Sequence, residues 1–190
     1  MNRKTPKNKS FQERNDMANG FSIEKRVISI TGEITANTYQ HVLSCMSALT
    51  LTKEPITILL NSMGGDVSQG FAIHELIKHC PNPVIVHAIG EVMSIAPIIL
   101  QAGHHRIMTP LCRFMIHNGT VGYGDTMDLD KLHNMAKNTA MDSEIYYQML
   151  MEKSNVSKAK IKKMCLEETY YTAEQCLEME FIDEVAPYIP

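Results

Sequence analysis

The sequence predicts an α/β fold. β-branched and aliphatic runs alternate with segments whose apolar residues recur at helical spacing, and two of those runs, 56–60 and 84–88, read as buried strands. At 190 residues, with 44% hydrophobic and 21% charged residues, the chain suits one soluble domain. A domain of this length buries about 70% of the surface that its unfolded chain exposes.

Residues 1–20 read as a flexible tail, because Asn2 to Lys9 is basic and polar with nothing to bury. The single domain then occupies 21–190. Residues 26–30 form a strand closed by Thr31-Gly32, and a helix follows through Tyr39, Val42, Leu43, Met46 and Leu49, with Asn37 or Thr38 as its cap. The strand at 56–60 ends in Asn61-Ser62-Met63-Gly64-Gly65-Asp66, after which Val67, Phe71, Ile73, His74, Leu76 and Ile77 mark a second helix. Its reading is strand, glycine turn, helix. Pro81-Asn82-Pro83 stops that helix, and the strand at 84–88 leads to Ser94.

Residues 84–103 are the most apolar window, yet His87, Gly90, Glu91 and Pro97 interrupt it, which makes it core and not a membrane span. A helix begins at or just after Ser94, with Pro97 tolerated in its first turn. Two short strands follow at 106–108 and 113–117, separated by Thr109-Pro110, and Gly119, Gly122 and Gly124 make the next stretch pliable. From 128 to 153 the apolar positions Leu129, Leu132, Met135, Ala136, Ala140, Met141, Ile145, Met149 and Leu150 fit a period of 3.6. A helix that long projects from one small core or finds a partner. A helix at 157–167, an extended pair Tyr170-Tyr171, a capping box from Thr172 to Gln175 and a strand at 181–185 complete the chain.

Charge and cysteine content narrow the function. A net charge of -3 gives no overall electrostatic case for nucleic acid or an anionic membrane. Cys45, Cys80, Cys112, Cys165 and Cys176 are odd in number and lack C-x-x-C spacing, which fits reduced thiols in a cytoplasmic protein. No apolar segment follows the basic start, so no secretory signal is expected. Neither G-x-G-x-x-G nor a Lys-bearing phosphate loop is present, and none of the eight histidines forms a helical H-x-x-x-H pair with a carboxylate at ligand spacing. No cofactor or metal is expected.

Ser94 sits where strand gives way to helix. Free backbone N–H groups and the positive end of the dipole would favour an oxyanion formed when that hydroxyl attacks a carbonyl; an isolated serine there would equally serve as an N-cap. Gly64-Gly65 suits either a backbone N–H site or a plain tight turn. His117 ends an apolar strand, structural unless the fold brings it to Ser94.

In order and spacing, several motifs resemble the Clp protease proteolytic subunit, ClpP, a family of serine peptidases. Leu60-Asn61-Ser62-Met63-Gly64-Gly65 is similar to the family's I-N-S-P-G-G, and residues 89–96 match M-G-x-A-A-S-M-G at the glycine and the serine. Residues 113–117 are close to R-x-M-I-H; residues 168–176 are similar to D-x-F-x-S-A-x-E-A, with Phe181-Ile182-Asp183 after them like G-L-V-D. The resemblance covers about residues 27–185.

It implies a crotonase-like spiral of β-β-α units, with the helix at 128–153 as a projecting handle that joins heptamers into a stacked double heptamer. It implies a cytoplasmic endopeptidase that cuts unfolded proteins or peptides inside that chamber. Ser94 would be the nucleophile, His117 the general base, and Glu168 the acid in place of the family's aspartate, with Glu167 an alternative neighbour. The N–H groups of Gly65 and Ile95 would form the oxyanion hole. Substrate would add as a strand along Gly64, Gly65 and the stretch from Asn118. An AAA+ unfoldase is the implied partner, although Thr57 and Leu59 stand where the family carries docking aromatics. Glu91, Met93, Ile95 and Pro97 replace smaller or differently shaped family residues, and Ile95 narrows the primary specificity pocket. These departures would suit an atypical or phage-encoded member. A weakly active or inactive ring component is the first alternative, and an acyl-CoA enzyme of the crotonase fold, with Gly65 and Ile95 holding a thioester oxygen, is the second.

Overall fold

The computed structural model describes residues 20–119 and 128–189. The tail read at 1–20 lies, Gly20 apart, outside the described residues, as do Gly122 and Gly124.

The architecture is α/β. A short β1 (Phe21–Ser22), absent from the sequence reading, pairs antiparallel with β2 (Val27–Ile34). β2, β3 (Ile56–Gly65) and β4 (Val84–Met93) then run parallel, linked by α1 (Ala36–Leu49) and α2 (Val67–Lys78). Ile28, Ile30, Ile58, Leu60, Val86 and Ala88 are buried along these strands, while Ser29, Thr57, Leu59 and Ile85 between them are half-buried.

At β4 the sheet divides. Its first half, Ile85 to Ala88, pairs with β5 (His105–Met108), and its second half, Glu91 to Met93, pairs with β6 (Arg113–Ile116). α3 (Ala96–Ala102) fills the space between, and all seven of its residues are buried. β7 (Thr169–Tyr171) pairs antiparallel with β6, and β8 (Glu184–Val185) closes the other edge against β5. Arg106 anchors that edge through Nε and Nη2 to both carboxylate oxygens of Asp183, at 3.0 and 2.6 Å.

Several boundaries differ from the sequence reading. Asn61 to Gly65 is not a turn but the continuation of β3, because Ser62 pairs with Val92 and Gly65 with Ile34; the positive φ of Gly64 and Gly65 is absorbed by a register shift within the ladder. β2 likewise continues past Gly32. The cap of α1 is Thr35, which closes a capping box with Thr38. The final strand is only two residues, since Phe181 and Ile182 enter the core instead, Phe181 stacking on Phe114 at 5.1 Å.

α4 (Leu129–Met151) has 23 residues, a length of about 34 Å. Of these only Tyr146, Tyr147 and Leu150 are buried, so this chain's core takes in only the C-terminal part of the helix. α5 (Lys158–Leu166) and α6 (Ala173–Glu178) complete the structure, capped by Ser157 and Thr172.

Candidate active site

Strand β4 delivers Ser94 and strand β6 delivers His117, and the β4–β6 pairing brings the two strand ends together. Ser94 Oγ and His117 Nε2 are 2.7 Å apart. Ser94 is not the N-cap of α3; that position is Ile95, and Ser94 has φ 60°, a left-handed conformation that serine rarely adopts. Such a sharp turn turns the hydroxyl out of the strand, at a backbone cost of about 1–3 kcal/mol. Both main-chain groups of Ser94 are tied: its N–H donates to Met115 O at 3.0 Å, and Tyr146 Oη donates to its carbonyl at 2.6 Å.

Gly64 approaches the serine closely enough that a side chain there is excluded. A Cβ on Gly64 would lie 2.5 Å from Ser94 Cβ and 3.0 Å from its Oγ. At Gly65 a Cβ would instead collide with β2, at Ile34 O. Ile95, as Ncap, has an N–H with no partner inside α3. Its branched side chain is seated against Gly70, where a Cβ would collide with it.

Asn118 fixes the chain just beyond the histidine. Its N–H donates to Cys165 O at 3.2 Å, and its Oδ1 accepts from Tyr147 Oη at 2.6 Å. In the β6–β7 ladder the last pair is Ile116 and Thr169, so His117 and Glu168 each lie one residue beyond that end. Glu168 has φ 48° and its side chain is exposed. Among the described residues neither Glu168 nor Glu167 forms a hydrogen bond or ion pair with His117; Glu167 lies 3.6 Å from Lys163 instead. The structure thus joins Ser94 to His117 and leaves Glu168 one residue beyond the ladder's end, with its carboxylate unengaged among the described residues.

Beside the pair opens a cavity of about 140 Å³. Val67 and Ile95 wall one side; Thr139, Asp142, Ser143, Tyr146 and Tyr147 of α4 wall the other. Burial holds the Tyr146 phenol well above its ordinary range and raises Tyr147, so both remain neutral donors. Burial likewise pushes the nearby Cys165 thiol up to about 12. Sequence reasoning missed these α4 residues. Their signal was a polar stripe, 139, 142, 143 and 146, cut into an otherwise apolar periodicity. Among the described residues no group of three His, Cys, Asp or Glu side chains is placed to hold a metal ion.

The chain has clear relatives. A family model described as Clp protease matches residues 10–188. ATP-dependent Clp protease proteolytic subunit 2 of Thermobifida fusca is 29% identical over 137 residues, which cover 71% of this chain and 66%, just under two thirds, of that protein. The protein of the same description from Tropheryma whipplei is 25% identical over 144 residues, covering 70% and 74%. A solved point variant of ClpP1 from Listeria monocytogenes superposes with a TM-score of 0.80 at 25% identity, over 87% of this chain and 94% of that one.

Proposed function

The chain belongs to the Clp protease family, and from that premise we propose that it is a serine endopeptidase acting on unfolded proteins or peptides. The observation that carries the reading is the 2.7 Å contact between Ser94 Oγ and His117 Nε2 at a strained strand end. Ser94 Oγ attacks the scissile carbonyl while His117 Nε2 takes its proton, and the histidine later returns that proton to the leaving amine. The N–H groups of Gly65 and Ile95 receive the oxyanion, where losing one donor typically costs about 2.7–4 kcal/mol of barrier.

Substrate adds as a strand along Gly64, Gly65 and Asn118. Ser62 Oγ already takes the Gly64 N–H, and Cys165 O takes that of Asn118, so these two residues offer their carbonyls. Glu168 is the acid in this reading. It and His117 flank the same end of the β6–β7 ladder, and rotation of an exposed side chain would bring the carboxylate to the imidazole when substrate closes the site. Copies assemble into heptamers, stacked in pairs through α4, and an AAA+ unfoldase would feed them. Thr57 and Leu59, half-buried on the outer side of β3, give its loops a less aromatic seat than the family's.

Labelling with a fluorophosphonate, located by peptide mass spectrometry, tests the reading. We expect an adduct on Ser94 alone, none in Ser94→Ala, and slower labelling in Glu168→Ala. The absence of an adduct in an assembled ring would instead favour a scaffold role, the reading that the unengaged Glu168 carboxylate supports.

A further inference from the structure

We propose that the cavity beside Ser94 selects a cationic side chain, lysine or arginine, on the residue preceding the scissile bond, and that Asp142 reads it. The inference rests on the endopeptidase reading above for the identity of the cavity's occupant.

The cavity, at about 140 Å³, takes one side chain, since pockets for whole small molecules run to about 300–1,000 Å³. Its α4 wall presents Thr139, Asp142, Ser143 and Tyr146, spaced i, i+3, i+4 and i+7, one face of the helix. Each hydroxyl there has a single hydrogen to give, and each is already committed. Thr139 donates to Met135 O at 3.0 Å, Ser143 to Thr139 O at 2.8 Å, Tyr146 to Ser94 O and Tyr147 to Asn118 Oδ1, both at 2.6 Å. The wall therefore offers lone pairs, and with Asp142 a negative charge, to whatever enters. Such a wall asks for a donor.

Asp142 has no cation of its own. Among the described residues it forms no ion pair or side-chain hydrogen bond. Its helix neighbours three and four residues away, Asn138, Thr139, Ile145 and Tyr146, are all uncharged. The lysines facing α4 from α5, Lys158 and Lys162, are both paired with Glu144. His117, on the opposite wall, is engaged with Ser94.

Geometry and polarity also match in length. Asp142 lies four residues, about 6 Å along the axis, from Tyr146, whose hydroxyl rests on Ser94. Between them Val67, Ile95 and the Tyr146 ring give an apolar channel for an aliphatic stem. A lysine or arginine side chain has that construction: an apolar stem with a cationic donor at its end.

Peptides differing only at the residue before the cut test the inference. In the native protein kcat/KM for lysine or arginine should exceed that for norleucine about tenfold or more, and Asp142→Asn should remove most of that ratio. Asp142→Lys should turn the preference toward glutamate, a gain that a misfolded variant would not show. Norleucine cut as well as lysine by the native protein, or a ratio unchanged in Asp142→Asn, would overturn the inference and leave the protease reading standing. The converse is separable too. Calorimetry on Ser94→Ala should show tighter binding of the lysine peptide than of the norleucine peptide without any turnover, so failure of catalysis would not mask the selection; equal binding would overturn it.

Discussion

Ser94 is held at φ 60° by contacts that the motif around it does not contain. The Tyr146 hydroxyl on its carbonyl comes from a helix 52 residues further along the chain, and through that bond it positions the nucleophile. Tyr146→Phe removes that donor and leaves a half-buried carbonyl without it, worth about 1–3 kcal/mol. Because the lost bond keeps Ser94 turned toward His117, we expect kcat to fall about tenfold with KM little changed, and fluorophosphonate labelling of Ser94 to slow in parallel. A rise in KM alone would assign Tyr146 to substrate binding instead. Ser94, His117 and the Gly64-Gly65 pair were legible in the sequence because each lies in a short motif with a fixed place in the sheet. The tyrosines were not, since a helical period records which residues share a face and not what that face meets. For Glu168 the motif supplied a position, whereas the direction of its carboxylate depends on a rotamer that no spacing encodes.

Among the elements, the strands were legible in their cores and misread at their ends. Gly32, Gly64 and Gly65 signal turns by composition, yet the sheet absorbs them because β2, β3 and β4 support one another across the irregularity. α4 was the reverse case, with its length evident and its environment hidden. Met141 is 58% exposed and Ile145 is 41% exposed, and at 100° per residue they lie about 40° apart on a flank of α4 turned away from Thr139 and Ser143. Both are large apolar side chains left substantially exposed on a helix of which only Tyr146, Tyr147 and Leu150 are buried. A second copy of the chain is the cover that family membership supports. Light scattering should therefore give a multiple of the 21.4 kDa chain mass, and Met141→Glu with Ile145→Glu should reduce it. A native mass equal to one chain would remove the ring and the handle role together.

At the scale of the whole molecule, pH enters through groups that the core has taken out of water. His74 on α2 is 2% exposed, and its Nδ1 has no hydrogen-bond partner, lying 3.4 Å from a Glu75 oxygen without the geometry for one. Burial first, and Lys78 second, lower its pKa from the ordinary 6.5, against a smaller opposite pull from Glu75 and Glu152. His87, lowered by burial, has the same sign. A histidine whose folded pKa is depressed is protonated first in the unfolded chain, so its stability contribution is intact above 6.5 and drains away as pH falls through the folded value. Asp183, held down by Arg106, adds a separate loss that begins only below its ordinary 3.8. The melting temperature should therefore fall in two stages on acidification, the first starting near pH 6.5. His74→Leu replaces an unpaired buried ring with an apolar side chain, and it should flatten the first stage while leaving the second in place. A first stage unchanged in that variant would transfer it to His87, whose Nε2 lies 3.2 Å from Ala186 O at the far edge of the sheet.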